Sequence, residues 1–445
     1  MYKMDIGLNV YQLIVCLSLV KPLLTEDPCQ GCLILTVLIK NGQAPLAREL
    51  SEVNSTSFLG IRSYSAFLTV KEEYDSNLFY WFFPKADMDK APWIIWLQGG
   101  PGISSLHGEF ELIGPIQIVD GKVTARNVTW AEDYSLLFID NPVGAGFSFT
   151  GDERGYLDNE DDVGSQLFEF LQQFLEMFPE LRRAPLFIAG ESYAGKYVPA
   201  LGIQIHRHRR TSSINFKGVM IGNGLIDPRS MMHYSELCRI LGILGNRQIN
   251  EVKILERVVV YLIDHKKWTL ATETFNATIK YIKMHSGVSV YNYLKNPDNE
   301  SHEFVFFLKR PDVREWLHVG NASFNYDNQL VYEKMLPDIM KTTKPWLEEL
   351  LEYYGVMCYS GQLDLILAYS LSKYMYDALR WPQREEYENA PRVLLRRTTK
   401  APIIGYSKSG GNFMEVLIRG AGHATMVEQP EATKFIVKRF IDQFE

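Results

Sequence analysis

A serine lies between small residues directly after an apolar run, because residues 187–189 are Phe-Ile-Ala and residues 190–195 are Gly-Glu-Ser-Tyr-Ala-Gly. Small residues around a serine between a strand and a helix are typical of a nucleophile elbow, a strained turn that exposes the hydroxyl at the end of a sheet. The usual pattern is Gly-x-Ser-x-Gly. This chain departs from it at the last position, where Ala194 replaces glycine with another small residue. The segment predicts a nucleophile at Ser192.

An acid and a histidine follow this serine in the chain. Asp364 ends the segment 359–364, and His423 ends the segment 418–423; each segment begins with the end of an apolar run. The order Ser, Asp, His is that of α/β hydrolases. His423 would take the proton of the Ser192 hydroxyl, and Asp364 would hold the imidazole in the required tautomer.

Two earlier residues compete for these roles. His107 lies in a glycine-rich region, and Asp140 follows an apolar run. Both precede Ser192 and would break the chain order of an α/β hydrolase. We expect Asp140 to organise a loop instead.

A glycine-rich loop at 96–102, Trp-Leu-Gln-Gly-Gly-Pro-Gly, also follows an apolar run. An oxyanion hole needs one amide from an early strand-end loop and one from the residue after the nucleophile. Gly100 and Tyr193 are therefore the predicted donors, although the glycines alone would be compatible with a simple turn.

Elements of two types would position these residues. Short apolar runs bounded by turn residues predict buried parallel strands, and helical spacing predicts helices at 160–178 and, after the elbow, at about 194–207. The alternation predicts an α/β-hydrolase fold with a mostly parallel central sheet and its active residues at the carboxyl edge of the strands. The predicted strands are at 93–97, 136–139, 186–189, 219–221, 356–359 and 416–418.

The pattern changes between 229 and 332, where strand signals fade and helical stretches such as 249–263 appear. We interpret 229–332 as a helical cap insertion into a core formed by 26–228 and 333–445. The first 25 residues pair Lys3 with a short apolar run and predict a signal peptide. No membrane anchor is predicted.

Composition narrows the function classes. A hydrophobic content of 46% argues against disorder, and 46 basic against 53 acidic residues, a net charge of −7, disfavour nucleic-acid binding. Cys29 and Cys32 suit a disulfide or a bystander role better than a redox or metal motif, since no second pair or histidine cluster is beside them, and Cys358 suits a buried thiol. No metal or cofactor is predicted. Candidate glycosylation sites are Asn54, Asn127, Asn276, Asn299 and Asn321.

With these segments in order, the chain resembles the serine carboxypeptidases, and most of all their vitellogenic-like branch. The resemblance implies an α/β hydrolase with a helical insertion that removes single residues from peptide C-termini without a metal. It also implies activity at acidic pH in lysosomes, vacuoles or secretions, with peptides or proteins bearing a free C-terminus as partners. We expect this chain to enter the secretory pathway and to be secreted or lysosomal/endosomal. The similarity spans 58–227 and 313–430, through 96–105, 140–148, 190–195, 222–224, 422–423 and 429–430.

The resemblance also implies how the substrate's terminal carboxylate is bound. Gln98 and the Gly99 amide should hydrogen-bond to it, with Glu191 as the third member. Two carboxylates repel each other, so Glu191 must be protonated to donate a hydrogen bond. Tight binding would then be confined to low pH.

The sequence departs from the family pattern at several positions. Counting back from the Gly-Pro pair at 114–115, the family's second glutamate falls on Leu112, with Glu111 one residue away. Ile103 replaces the cysteine that follows the glycine loop, so that disulfide cannot form. Residues 424–426, Ala-Thr-Met, replace the usual apolar run before a proline.

Two other functions remain open on the sequence. A carboxypeptidase-like acyltransferase or esterase would keep the triad and change the acceptor, and a catalytically silent binding or stabilising homologue would keep the fold alone. Homodimer formation is also left open.

Overall fold

The computed structural model describes residues 29–297 and 301–445. The predicted signal peptide at 1–25 and the candidate glycosylation site Asn299 lie outside these residues. The described chain forms one large mixed sheet with helices on both faces, which confirms the predicted α/β-hydrolase fold.

The central strands are parallel, and antiparallel strands flank them on both sides. The strand order is β1-β2-β6-β3-β8-β9-β10-β13-β12-β11, and the six strands from β6 to β13 in this order are parallel. These six are the strands that the apolar runs predict, each with the same or slightly wider bounds. The strands of the sheet are β1 Tyr64–Lys71, β2 Ser76–Phe83, β3 Trp93–Leu97, β6 Ser135–Ile139, β7 Phe149–Thr150, β8 Leu186–Glu191, β9 Phe216–Gly222, β10 Gly355–Gly361, β11 Val393–Leu395, β12 Gly405–Gly410 and β13 Phe413–Ile418, and a separate hairpin is formed by β4 Ile116–Val119 and β5 Lys122–Ala125.

The register of the parallel strands brings their carboxyl ends to one edge. Leu97 pairs with Gly190, and Gly361 pairs with Ile418. The loops that leave β3, β8, β9, β10 and β13 therefore start side by side. Every residue in the predicted triad and oxyanion hole lies in or after one of these strand ends.

Helices cover both faces of the sheet. The odd-numbered residues of β3 join the apolar cluster beneath α3 and α4, and its even-numbered residues join the cluster beneath α15. The helices are α1 Thr36–Lys40, α2 Ala44–Leu50, α3 Glu160–Met177, α4 Ala194–Arg207, α5 Tyr234–Leu241, α6 Asn246–Asp264, α7 Trp268–Ser286, α8 Glu303–Phe307, α9 Pro311–Trp316, α10 Gln329–Ile339, α11 Lys344–Leu351, α12 Tyr369–Ala378, α13 Arg384–Asn389, α14 Thr425–Glu428 and α15 Pro430–Phe444.

The described part of the segment predicted to form the cap contains the helices α5 to α9, joined by turns and irregular stretches such as 287–297 and 317–328. Its predicted end at 332 falls inside α10, which continues to Ile339. The predicted division into core and cap stays a prediction. Within residues 29–297 and 301–445, none of the helices combines the length and apolar character that crossing a bilayer requires.

Candidate active site

Ser192 occupies a strained turn between β8 and α4. Its φ is +66°, in the left-handed region that a residue with a side chain rarely adopts. The Ser192 amide donates to the Gly222 carbonyl at 3.0 Å, and its carbonyl accepts from the Leu225 amide at 3.0 Å. The end of β9 thus holds the serine backbone in place from the neighbouring strand.

Close backbone approach explains the small residues of the elbow. A Cβ on Gly190 would lie 2.6 Å from the Leu97 carbonyl oxygen and 2.7 Å from the Ala194 Cβ. A Cβ on Gly195 would lie 2.7 Å from the Leu225 amide nitrogen. Alanine is compatible with position 194, but larger side chains at 190 or 195 would force the strand, turn and helix apart.

His423 and Asp364 are in contact at the same edge. Nδ1 of His423 lies 2.8 Å from Oδ2 of Asp364, and both side chains are buried. The Leu367 amide donates to Oδ1 of the same carboxylate at 3.2 Å. This is the contact by which an acid orients a catalytic imidazole.

Asn223 is a further residue that positions the site, and the sequence alone predicts no role for it. It directly follows β9 with φ +42°, and its Nδ2 donates to Oδ2 of Asp364 at 2.5 Å. The backbone amide of Asn223 donates to the Tyr359 carbonyl at 2.8 Å. Asn223 therefore ties the Asp364 carboxylate to two strand ends, and its place after an apolar strand is the signal that would have identified it.

The loop that carries His423 is held by the segment before α8. The His423 amide donates to the Tyr291 carbonyl at 2.7 Å, and the two rings lie 5.2 Å apart between centroids. Glu428 accepts from the Gly422 amide and from Nδ2 of Asn292. The predicted cap thus contacts the backbone of the histidine loop directly.

The glycine loop packs against the serine. A Cβ on Gly99 would lie 2.7 Å from both the Ser192 Cβ and the Tyr193 amide nitrogen. Gly100 has φ +115° and precedes a cis proline bond to Pro101. The two predicted oxyanion donors, the amides of Gly100 and Tyr193, therefore belong to backbone segments that approach each other beside Ser192.

Asp140 organises this loop, as its position before the elbow suggests. Its Oδ1 accepts from the Ser104 hydroxyl at 2.6 Å and from the Ser105 amide at 2.9 Å, and its Oδ2 accepts from the Phe147 amide at 2.9 Å. Burial raises the pKa of Asp140 to about 6, and these hydrogen bonds oppose the shift.

The residues predicted to bind a substrate carboxylate also lie together. Nε2 of Gln98 donates to Oε1 of Glu191 at 3.3 Å, and Oε1 of Gln98 accepts from the Trp96 indole at 3.1 Å. Both Gln98 and Glu191 are buried. The Trp96 contact fixes which end of the Gln98 amide faces Glu191.

Leu112, at the position where the resemblance implies a glutamate, is buried among apolar side chains. It ends a π-helical turn, Gly108–Leu112, which also contains Glu109 and Glu111. Glu109 is completely buried, and its burial raises the pKa of its carboxyl well above the usual range, opposed by the nearby Arg126. A buried acid is thus present three residues earlier than the pattern places it.

His107 and Glu111 meet His302 on the wall of a cavity of about 470 Å³ that His423 also lines. Nδ1 of His302 lies 2.8 and 2.9 Å from the two carboxylate oxygens of Glu111. Nδ1 of His107 lies 3.4 Å from Oε2 of Glu111. Burial lowers the pKa of His107 to about 4, so its imidazole is neutral at neutral pH.

The cysteines and the candidate glycosylation sites differ in their surroundings. Cys29 and Cys32 form a disulfide, while Cys238 and Cys358 are buried thiols. Asn54, Asn127 and Asn321 are exposed. Asn276 is half-buried, and its Nδ2 donates to the Tyr332 hydroxyl at 2.7 Å. Attachment of a glycan to Nδ2 would require this hydrogen bond to break.

The parallel sheet and the chain order of serine, aspartate and histidine at its carboxyl edge define an α/β hydrolase. Within this class, residues 53–443 match the family model described as serine carboxypeptidase, and the chain belongs to that family. The predicted resemblance is confirmed.

Similar proteins cover nearly the whole chain. The venom serine carboxypeptidase of Apis mellifera is 39% identical over 94% of this chain and 92% of its own length. The vitellogenic carboxypeptidase of Aedes aegypti is 37% identical, with coverages of 90% and 87%. The probable serine carboxypeptidase CPVL of Homo sapiens is 38% identical, with coverages of 92% and 89%.

A solved structure shares the fold. It is that of Kex1Δp, a prohormone-processing carboxypeptidase from Saccharomyces cerevisiae, with a TM-score of 0.79 and 23% identity over 89% of this chain and 96% of that one.

Proposed function

We propose that the protein hydrolyses the last peptide bond of peptides with a free C-terminus through an acyl-enzyme on Ser192. The observation that carries this proposal is the contact between His423 and Asp364 at the sheet edge where the Ser192 elbow also lies. Membership of the serine carboxypeptidase family supports the reaction type.

The chemistry divides into two steps. Because Nδ1 of His423 faces Asp364, Nε2 is the nitrogen that takes the Ser192 proton as the serine oxygen attacks the scissile carbonyl carbon. The carbonyl oxygen becomes negative, and the amides of Gly100 and Tyr193 stabilise it. The carbon–nitrogen bond then breaks, and His423 returns the proton to the leaving amino acid.

Water completes the reaction. It attacks the acyl carbon, gives its proton to His423 and displaces the Ser192 oxygen, which recovers the proton. The products are the shortened peptide and one free amino acid.

Recognition of the free C-terminus would come from Gln98, Gly99 and Glu191. Gln98 faces Glu191 in a buried setting, so a substrate carboxylate placed there leaves water and meets amide donors. A negative Glu191 would repel it, whereas a protonated Glu191 would donate a hydrogen bond. The proposal therefore includes tighter binding in acid.

The first test compares two matched substrates. A blocked dipeptide with a free carboxylate should release its last residue, and its C-terminal amide should be a much poorer substrate. Ser192→Ala should lower kcat by roughly 10⁴-fold to 10⁶-fold, as expected for loss of a serine nucleophile. Ser165→Ala, an exposed serine on α3, serves as the matched control. Undiminished release by Ser192→Ala would refute the mechanism.

The second test isolates Glu191. For the wild type, KM for the free-carboxylate substrate should rise as the pH increases from about 4 to 8, because the hydrogen-bond donor is lost. Glu191→Gln keeps a donor that does not titrate, so its KM should change less with pH. Glu176→Gln, an exposed glutamate at the end of α3, should follow the wild type. Equal profiles for wild type and Glu191→Gln would remove Glu191 from the proposal.

A second candidate function is suggested by the apolar burial of Leu112. With Leu112 in place of the second acid that the resemblance implies, the same triad would suit an esterase or acyltransferase that does not require a free C-terminus. Faster turnover of the ester than of the peptide, with equal rates for acid and amide forms, would favour this alternative.

We further propose that the protein works in the secretory route or in an acidic compartment reached by it. The Cys29–Cys32 disulfide and three exposed sequons support this placement. Immunolocalisation of the native protein with compartment markers tests it.

A further inference from the structure

Three metal-ligating side chains come together beside the catalytic edge. His107 and Glu111 are four residues apart around the π-helical turn, so their side chains lie on the same side of it. His302 directly precedes α8 and reaches the same point from the other side. One donor atom from each of the three residues lies within 4.8 Å of the others.

The donor spacing fits a small divalent ion. An ion with four tetrahedral ligands at about 2.0–2.1 Å keeps its donors about 3.3 Å apart. Nδ1 of His302 lies 2.8 Å from Oε1 of Glu111, and Nδ1 of His107 lies 3.4 Å from Oε2 of Glu111. All three donor groups lie within 4.8 Å of one another, so rotations of the side chains would bring them to this spacing. Two imidazoles and one carboxylate are a ligand set that zinc sites with an open fourth position use.

Surrounding groups orient these ligands. The Tyr326 hydroxyl lies 3.0 Å from Nε2 of His302, which leaves the Nδ1 of that ring directed at Glu111. The guanidinium of Arg126 donates to the carbonyls of Glu111 and Gly114 at 3.2 and 2.9 Å and so fixes the turn that carries Glu111. Such outer contacts are what hold metal ligands in position.

Positive charge near the cluster comes from Arg126, whose guanidinium donates to the Glu111 carbonyl, and from lysines on the cavity wall. Of the two lysines on the cavity wall, Lys295 pairs with Glu428 at 2.5 Å, and Lys283 is exposed to solvent.

We propose that His107, Glu111 and His302 bind one divalent ion of the zinc class, with its fourth position open to the cavity that His423 lines. The ion would occupy space next to the triad and inhibit turnover. This consequence for activity rests on the proposed peptidase function, whereas the binding itself does not.

The test is a titration of the metal-free protein with Zn²⁺ at pH 7.5, followed by calorimetry and by dialysis with metal analysis. The wild type should bind one Zn²⁺ per chain, and X-ray absorption should show nitrogen and oxygen ligands at about 2.0–2.1 Å. Glu111→Gln and His302→Gln should each weaken binding at least tenfold. His265→Gln removes an exposed histidine that packs against Tyr261, and this variant should bind Zn²⁺ like the wild type.

Three results would overturn the proposal: no uptake by the wild type at 100-fold molar excess, unchanged uptake by both variants, or sulfur ligands in the absorption spectrum. The two variants lie on different elements, and the spectrum needs only the wild type, so misfolding of one variant does not remove the test. In a separate peptidase assay, Zn²⁺ should inhibit the wild type reversibly, with relief by a chelator. Absence of peptidase activity would count against the proposed function and leave the binding result intact.

Discussion

Two regions meet at the proposed catalytic centre, and they are built differently. The strand-end loops that carry Ser192 and Asp364 are held largely by backbone hydrogen bonds to neighbouring strands and strand-end loops. The loop of His423 is also held by the Tyr291 carbonyl and the Glu428 side chain. The opposite wall, formed by residues 107–112 and 302, is held by side chains, above all by Arg126 and Tyr326.

From this difference we expect the edge to determine the chemistry and the wall to determine the selectivity for substrates. The register of a parallel sheet positions the reacting groups almost independently of the side chains around them. The wall depends on a π-helical turn and on contacts with a distant part of the chain, so a single substitution there changes its shape and charge. Variants of the edge should therefore act mainly on kcat, and variants of the wall mainly on KM.

The largest expected effect is at the edge. Asp364→Asn keeps the size of the side chain but removes the negative charge that orients His423 and stabilises its protonated form. We expect kcat to fall by about 10⁴-fold, with a much smaller change in KM. Steady-state kinetics on the free-carboxylate dipeptide measure both, with Asp442→Asn on α15 as an exposed control. A fall of less than tenfold would show that the pair has no catalytic role.

Gly99→Ala tests how closely the glycine loop must approach the serine. The added Cβ would lie 2.7 Å from the Ser192 Cβ and from the Tyr193 amide nitrogen, so the loop must move away. Displacement of the oxyanion donors should lower kcat by about 10²-fold to 10³-fold. Gly245→Ala is the matched control, because its Cβ would meet only the end of the Gln248 side chain. Equal kinetics of the two variants would contradict the predicted oxyanion hole.

A charged cluster behind the edge should make folding depend on pH. Glu160 is buried in α3 near Tyr193 and the ion pair between Lys196 and Asp338, and burial raises the pKa of Glu160 to about 8. Between pH 4.5 and 8 the folded chain keeps a proton that the unfolded chain has lost, so the stabilisation is complete below pH 4.5 and is lost progressively as the pH rises from 4.5 to 8.

Glu160→Gln should remove this contribution. Raising the pH from 5 to 7 should reduce the free energy of unfolding of the wild type by about 2 kcal/mol more than that of the variant. Urea unfolding at both pH values measures the difference, and Glu169→Gln on the same helix is a more exposed control. Equal pH dependence of wild type and Glu160→Gln would mean that Glu160 is ionised in the folded protein.

The edge was largely predictable from the sequence because each of its strands is a short apolar run that ends in a turn. All six predicted strands lie side by side in parallel, and the helix predicted at 194–207 has those bounds. The role of Asn223 was not predicted, although the residue follows an apolar strand. Its contact with Asp364 depends on the strand order, which places β9 between β8 and β10.

The wall could not be predicted in the same way. Glu109 and Glu111 look alike in the sequence, and only the π-helical turn buries the first and directs the second toward His302. His302 is 191 residues from Glu111, so no local pattern relates them. Local periodicity predicts which segments form strands and helices, but it does not predict which side chains from distant segments meet across a cavity.

The smallest expected effect is at this wall. Tyr326→Phe removes the hydroxyl that lies 3.0 Å from Nε2 of His302 and 3.3 Å from Nδ1 of His107, and it leaves the ring packing largely intact. A lost hydrogen bond of about 0.5–1.5 kcal/mol predicts a change of about 2-fold to 10-fold in kcat/KM, carried mainly by KM. Steady-state kinetics on blocked dipeptides that differ only in the last residue measure this change in kcat/KM. Tyr261→Phe, on the exposed side of α6, is the control. A change confined to kcat would instead show that Tyr326 acts on the chemical step, and the proposed difference between the edge and the wall would then be wrong.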